Sequence, residues 1–358
     1  MDNAAYIKWA EASVYNRGNN YRLKKTLEKN EVKLAFVGGS VTKGWDGSGY
    51  LEKNYTDHII EYMKNTYPEK KIESANLSTE SANSFIGLSI TDKVINDIMP
   101  DIVFLEYAVN NECGHDHIIS YESLVKRMLS LPSEPCVVLV FLMNKSFYTS
   151  QGYMKRIGTH YELASISVAD TLKNMLDEGF DWSVYADDVI HPNMWGQRFI
   201  ADCVICWLKN SACAAADTGY SAADRLYSLD YMNYRSISAV SSDVYYVGFE
   251  RIECNEYGMF FNSGIRFIMG SKESFVKFEG EFKNLFAAFI HDKTDRFSDA
   301  EILIDGEKKA ILQGKSIYGW GNVTLRHVFS FEKKGYHCVE LRVKDVKKEF
   351  TLIEFGIS

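Results

Sequence analysis

The change of hydrophobic pattern along this 358-residue chain constrains its fold more than any other feature. From residue 33 to about residue 207, short apolar runs alternate with segments of helical periodicity, a rhythm typical of a parallel sheet covered by helices on both faces. The predicted strands are residues 34–37, 72–76, 102–107, 137–143 and 164–168, and a helix is predicted within residues 50–67. We therefore expect an α/β domain over residues 1–210.

The pattern changes after Trp207. Residues 211–222 are small and polar without a strong period, which indicates a linker. Further on, Val339, Leu341 and Val343 alternate with charged residues, and Asp305-Gly306 is a strong hairpin signal. Because 358 residues also exceed the usual size of one core, we expect a second domain, a jelly-roll-like β-sandwich over residues 223–358.

Charge and targeting signals narrow the class of partner. The formal net charge is −8 and no run of Lys or Arg is present, which argues against nucleic acid as a partner. The N-terminus lacks the pattern of a secretory signal, no apolar run is long enough to span a bilayer, and seven scattered cysteines suit a reducing compartment. We expect a cytoplasmic protein with no membrane partner and a neutral or small ligand. The oligomeric state, including a homo-oligomer, stays open.

Ser40 follows the first predicted strand through Gly38 and Gly39. The two glycines permit a sharp turn that would bring Ser40 to the carboxyl edge of the sheet, where open α/β sheets place their sites. A helix beginning there would present free N–H groups to a developing negative charge. By itself, however, this pattern more often indicates a Gly-Gly turn followed by a serine that has no catalytic role.

Asp188 and His191 lie three residues apart in a predicted loop, because Pro192 disfavours helical geometry at the residue before it. The Asp188 carboxylate can reach the Nδ1–H of His191, which leaves Nε2 free to accept a proton from a serine. Alone, such a pair is more often a capping feature. In the same domain as Gly-Gly-Ser it favours catalysis, with Asp187 as the alternative orienting acid.

Two further side chains are candidates for the same pocket. Asn110 follows the third predicted strand, and its amide could donate a hydrogen bond to an oxyanion, although Asn110-Asn111 is also an ordinary loop pair. Trp45, which comes soon after the Gly-Gly-Ser segment, is a candidate for the pocket wall.

Two groups of Cys and His residues were weighed as metal sites. Cys113, His115 and His117 could share one face of a strand, but a polar loop at the pocket rim is the favoured reading, with His117 able to touch substrate. Cys203 and Cys206 fall on one apolar helical face and are expected to be core residues. No second ligand pair follows them at a suitable spacing. We therefore expect no metal.

These motifs, in this order, resemble the SGNH (GDSL-type) hydrolase superfamily over about residues 20–210. The matching segments are Gly38-Gly39-Ser40-Val41-Thr42, Ala108-Val109-Asn110-Asn111 and Asp188-Val189-Ile190-His191, with Ala108 and Asn111 replacing the usual Gly and Asp. Ser81 stands about where the superfamily's second block normally has a glycine. The resemblance implies an α/β/α domain of three layers.

The resemblance also implies a mechanism. His191 would remove the proton of Ser40 as it attacks an ester carbonyl, and Asp188 would orient the imidazole. The N–H groups of Ser40 and Ser81 and the amide of Asn110 would hold the oxyanion, and water would then hydrolyse the acyl-enzyme. No metal or organic cofactor is needed for this chemistry.

The predicted second domain points to a substrate class. The arrangement resembles two-domain carbohydrate acetylesterases with a carbohydrate-binding-module-like sandwich, which implies acetylated oligosaccharides of the mannan or xylan type as substrate. Trp320, in a glycine-containing loop predicted over residues 316–322, could face a sugar ring, or could pack within the sandwich or at the domain interface. The alternatives are a lipase or thioesterase, a non-catalytic glycan-binding protein and an acyltransferase.

Overall fold

The computed structural model describes residues 3–219, 223–253 and 260–358. Two compact units account for the chain: Met1–Gly87 with Val94–Leu229, and Leu88–Lys93 with Asp230–Ser358. Within the described ranges no helix combines the length and apolarity that a bilayer crossing requires.

The first unit is built on a six-stranded sheet. Its strands are β1 (Val14–Asn16), β2 (Glu31–Gly38), β3 (Lys71–Ser78), β4 (Ile102–Glu106), β5 (Cys136–Phe141) and β6 (Ala164–Ser167). They are ordered β1-β6-β5-β4-β2-β3, with β2 to β6 parallel and β1 antiparallel to β6. All five predicted strands are present. The sequence did not predict β1, because three residues are too few to show a period.

Helices cover both faces of this sheet. They are α1 (Asn3–Ala12), α2 (Tyr21–Leu27), α3 (Ser40–Lys43), α4 (Tyr55–Thr66), α5 (Ser84–Ile98), α6 (His115–Leu129), α7 (Gln151–His160), α8 (Val168–Asp177), α9 (Trp182–Tyr185) and α10 (Met194–Cys213). Val138 and Val140 of β5 join one core with α4, α8 and α10. Leu139, between them, lies against Gly158 of α7. Successive strand residues face opposite sides of a sheet, so the unit has three layers.

Two helix boundaries differ from the predicted segments. The helix predicted within residues 50–67 begins at Tyr55, because Asn54 and Asp57 form a capping box at its start. Helix α10 continues to Cys213, into the predicted linker, with Ser211 still fully buried. Residues 220–222 of the predicted linker lie outside the described residues.

The second unit contains an antiparallel β-sandwich. Its strands are β7 (Arg235–Ser238), β8 (Val244–Val247), β9 (Phe249–Glu253), β10 (Ser263–Phe267), β11 (Phe275–Asp292), β12 (Ala300–Ile304), β13 (Glu307–Leu312), β14 (Trp320–Val343) and β15 (Thr351–Ile357). The long strands β11 and β14 pair along most of their length, with several register shifts. Such irregularities bend a strand, so β11 and β14 can each follow the curve of a sheet.

The sequence patterns of this unit are confirmed, with one correction. Val339, Leu341 and Val343 are buried in the core, as their alternation predicts. The β12–β13 hairpin turns at Asp305 and Gly306, both with positive φ (54° and 82°), which is the type I′ geometry that Asp-Gly favours. The predicted loop over residues 316–322 is wrong at its end, because Trp320 already pairs with Asp292 as the first residue of β14.

Candidate active site

Ser40 lies at the carboxyl end of β2, where the chain turns into the single helical turn of α3. Gly38 and Gly39 are needed because neighbouring atoms lie too close for a side chain, and not because their backbone is left-handed. A Cβ on Gly38 would lie 2.1 Å from the Thr42 hydroxyl oxygen, and one on Gly39 would lie 3.0 Å from Nδ2 of Asn110. Larger residues would therefore push Ser40 away from its neighbours.

A chain of hydrogen bonds joins Ser40, His191 and Asp188. Ser40 Oγ lies 3.0 Å from His191 Nε2, and His191 Nδ1 lies 2.6 Å from Asp188 Oδ2. An ionised carboxylate can only accept, so Nδ1 carries the proton and Nε2 is left to accept from the serine hydroxyl. Ser40 is 8% exposed, whereas the side chains of His191 and Asp188 are 17% and 33% exposed.

The loop between α9 and α10 fixes the orientation of this acid–base pair. Asp188 Oδ1 accepts from the backbone N–H of Ile190 at 2.7 Å and of His191 at 2.5 Å. The indole N–H of Trp182 donates to the Asp188 carbonyl at 2.7 Å. Asp187 instead accepts a 3.3 Å hydrogen bond from Asn193, so Asp188 is the acid that contacts the imidazole. A rigid Asp188 holds the ring in one tautomer and one direction.

The predicted oxyanion donors lie on two loops near the Gly38-Gly39 turn. Ser81 has a left-handed backbone with φ of 56°, the conformation that a glycine adopts without strain. The two asparagines after β4 differ in their surroundings. Asn111 is fully buried and bonds Ser84 and the Tyr153 hydroxyl, whereas the amide of Asn110 faces Gly39. Asn111 therefore supports the loop, and Asn110 is the amide available to a ligand.

Side-chain amides from distant parts of the chain cap the short helix α3. Asn76 donates to the Thr42 carbonyl at 2.9 Å, Gln197 to the Val41 carbonyl at 3.2 Å, and Asn54 to the Lys43 carbonyl at 3.3 Å. One helical turn leaves its carbonyls without partners in the helix, so these amides take their place. The sequence does not reveal this role, because a lone buried Gln or Asn has no local pattern.

Glu106, at the end of β4, was also not predicted as a site residue. It is 1% exposed, and its Oε2 accepts from the Thr42 hydroxyl at 3.0 Å. Burial raises the pKa of this carboxyl to about 7, and the hydrogen bond from Thr42 opposes the rise. One signal was available: Glu106 is the only charged residue of a strand that reads Ile-Val-Phe-Leu-Glu.

The three predicted substrate contacts lie in different surroundings. The backbone N–H of Trp45 donates to the Ser40 carbonyl, and its half-buried ring packs edge-on against Tyr50. His117 lies in the first turn of α6 with its ring edge-on to Phe85. Trp320, in the second unit, is 58% exposed.

The polar loop expected for Cys113, His115 and His117 is wrong from residue 115 onwards, as is the alternative of a strand, because α6 begins at His115; only Cys113 lies in a loop. Residues 115 and 117 therefore lie on a helical turn and not at alternate positions of one strand face. Across the part of the chain that the structure describes, no group of three or more His, Cys, Asp or Glu is arranged to hold a metal ion.

Comparison with solved structures finds close likeness over both units. No protein-family model matches the chain, and no curated protein sequence matches it. A crystal structure of a two-domain esterase (CEX) active on acetylated mannans matches with a TM-score of 0.89 at 23% identity, covering 98% of each chain. The same esterase co-crystallised with mannopentaose matches with a TM-score of 0.87 at 24% identity, covering 98% of this chain and 97% of that one. At these identities the likeness establishes the fold.

Proposed function

We propose that this chain is a serine esterase that removes acetyl groups from oligosaccharides of the mannan or xylan type. The observation that carries the proposal is the hydrogen-bonded series Ser40–His191–Asp188 at the carboxyl end of β2. A serine, an imidazole and a carboxylate in this order form the constellation that activates a hydroxyl for acyl transfer. The fold shared with an esterase active on acetylated mannans supports the substrate class.

The reaction would proceed in two halves. In the first, His191 Nε2 takes the proton of Ser40 Oγ as the oxygen attacks the acetyl carbonyl carbon, and Asp188 stabilises the imidazolium. The tetrahedral intermediate collapses when His191 returns that proton to the departing sugar oxygen. In the second half, His191 takes a proton from water, which attacks the acetyl-Ser40 ester. The acyl–oxygen bond to Ser40 then breaks as His191 returns the proton to Ser40 Oγ, and acetate is released.

Three donors would stabilise the oxyanion of each tetrahedral intermediate. They are the backbone N–H groups of Ser40 and Ser81 and the side-chain amide of Asn110. Loss of one such donor typically lowers the rate a hundredfold or more, which corresponds to about 3 kcal/mol of transition-state stabilisation. Trp45 and His117 would contact the sugar at the first unit. Trp320 is a separate candidate for an aromatic contact with sugar on the second unit.

The test is acetate release from acetylated manno- and xylo-oligosaccharides by the wild-type chain and by Ser40→Ala. We expect the substitution to reduce kcat by at least roughly a thousandfold, because the members of such a triad act as a unit. Ser211→Ala is a matched control, since Ser211 is fully buried and its hydroxyl has no partner among the described residues.

Three outcomes would contradict the proposal. Retention of most activity by Ser40→Ala would remove Ser40 as nucleophile. Glycan binding without any Ser40-dependent turnover would instead favour a non-catalytic binding protein. A preference for long acyl esters over acetyl esters would point to the lipase or thioesterase class.

A further inference from the structure

A buried carboxyl group lies directly under the turn that carries Ser40. Glu106 ends β4, all of whose residues are buried, and it is in register with Gly38 of the neighbouring strand β2. The chain from Gly38 to Ser40 therefore passes beside the Glu106 carboxyl group. No step of the mechanism described above uses this carboxyl.

One hydrogen bond connects the side chain of Glu106 to the turn. The Thr42 hydroxyl lies 3.0 Å from Glu106 Oε2 and 2.9 Å from the hydroxyl of Tyr55. Thr42 belongs to the same helical turn as Ser40, two residues further on. The other carboxyl oxygen, Oε1, is buried and has no hydrogen-bond partner among the described residues. The helical turn that begins at Ser40 is thus tied to Glu106 through Thr42.

The surroundings of Glu106 do not explain its presence through packing alone. The charge of Glu106 raises the pKa of four buried tyrosine hydroxyls, those of Tyr55, Tyr107, Tyr121 and Tyr185. No cation contributes to the shift of the pKa of Glu106 itself. Burying a carboxyl group without a cation is costly, and an apolar side chain would fill the space more favourably. A role in holding the turn that carries Ser40 would account for the buried carboxyl group.

We propose that Glu106 is a positioning residue for Ser40, acting through the Thr42 hydroxyl. The inference rests on the proposed function, since it concerns the alignment of Ser40 with His191. Loss of the anchor would let α3 shift by a fraction of an ångström, which lengthens the Ser40–His191 hydrogen bond and misaligns the Ser40 N–H with the oxyanion. Binding of the sugar would change little.

Thr42→Val tests the link with the smallest change of shape. We expect kcat for an acetylated oligosaccharide to fall roughly tenfold to a hundredfold while KM changes less than about threefold. Thr42→Ser, which keeps the hydroxyl, should recover most of kcat. The matched control is Thr171→Val, because Thr171 is equally buried in α8 and its hydroxyl has no partner among the described residues.

The outcomes separate this inference from the proposed function. If the wild-type chain shows no Ser40-dependent acetate release, the proposed function fails. If acetate release does depend on Ser40, two results would show that only the positioning role is wrong. One is a kcat of Thr42→Val as high as that of Thr171→Val, and the other is a Thr42→Ser variant that recovers no kcat.

Should Thr42→Val not fold, Glu106→Gln and Glu106→Met decide the question. The glutamine keeps an acceptor oxygen and should retain kcat within about threefold, whereas the methionine has no acceptor and should lose as much as expected for Thr42→Val. Equal kcat in the two variants would overturn the proposal, since the acceptor would then not matter.

Discussion

Among single residues, Ser81 is one of six described non-glycine residues with a left-handed backbone. Its φ of 56° costs a residue with a side chain about 1 kcal/mol relative to glycine. The loop around it is held by Glu80, which forms a 2.7 Å ion pair with Lys43 of α3 and accepts a hydrogen bond from Thr79. The chain has thus kept the backbone conformation of a glycine at a position where it carries serine.

We predict that Ser81→Gly retains kcat and does not lower stability, because glycine adopts this conformation without strain. Ser81→Val should lose about 1–2 kcal/mol of stability and much of kcat, since a β-branched side chain resists positive φ and would turn the N–H away. Thermal unfolding and acetate release measure the two effects. Met99, with φ of 49° at the end of α5, gives the control: Met99→Gly should leave kcat unchanged.

Glu106 should make stability depend on pH. Burial raises its pKa from 4.5 to about 7, so the folded chain binds this proton more tightly than the unfolded chain. The resulting stabilisation is complete below about pH 4.5 and is lost as the pH rises through 7. The loss amounts to about 3 kcal/mol.

We therefore predict that the stability of Glu106→Gln relative to wild type increases by about 3 kcal/mol as the pH rises from about 4 to about 8. Urea unfolding at several pH values measures this difference. Glu11→Gln, an exposed substitution of the same type in α1, is the control and should track the wild type. A pH-independent difference for Glu106→Gln would show that Glu106 does not titrate in this range.

Among the secondary-structure elements, helix α6 holds the segment that follows α10. Glu122, fully buried on α6, accepts hydrogen bonds from the backbone N–H groups of Leu226 (2.5 Å), Tyr227 (2.7 Å) and Ser228 (3.0 Å). It also accepts one from the hydroxyl of Tyr161 at 2.8 Å. Four donors converge on one carboxylate, so a short irregular segment gains a fixed path along the first unit.

We predict that Glu122→Gln destabilises the chain by about 3 kcal/mol, because an amide has one acceptor oxygen and its NH₂ group would face backbone donors. Trypsin should also cleave faster at the exposed Arg225 in this segment. The measurements are urea unfolding and the rate of cleavage, with Glu11→Gln as the exposed control. Unchanged protection of Arg225 would mean that the segment is held by other contacts.

For the molecule as a whole, the second unit exposes three apolar side chains close together in sequence. Ile317, Tyr318 and Trp320 are 81%, 73% and 58% exposed. Large apolar side chains exposed together often mark a binding surface, and aromatic rings can pack on the faces of sugars. Under the proposed function, these side chains are candidates for sugar binding by the second unit.

We predict that Trp320→Ala raises KM for acetylated oligosaccharides severalfold and leaves kcat/KM for a small aryl acetate unchanged, because the aryl acetate carries no sugar for an aromatic face to bind. The control is Tyr245→Ala, which removes another exposed ring of this unit, on β8. Equal kinetics of Trp320→Ala and wild type on both substrates would exclude Trp320 from substrate binding.

The sequence by itself determined what is encoded locally. Hydrophobic period distinguished the α/β half from the β half, because strands repeat every two residues and helices every 3.6. Asp188 and His191 could be paired as candidates because the three-residue spacing in a loop lets the two side chains meet. The hairpin at Asp305-Gly306 likewise depends on adjacent residues only.

Only the tertiary structure decided what depends on contacts between distant residues. The register of β2 with β4 brings Glu106 beneath Ser40, and Gln197 reaches a carbonyl of α3 from α10. Packing fixes the left-handed Ser81 against the preference of its side chain, and strand pairing places Trp320 at the start of β14. Periodicity records which face of an element is apolar, but it does not record which polar groups two such elements bring together on folding.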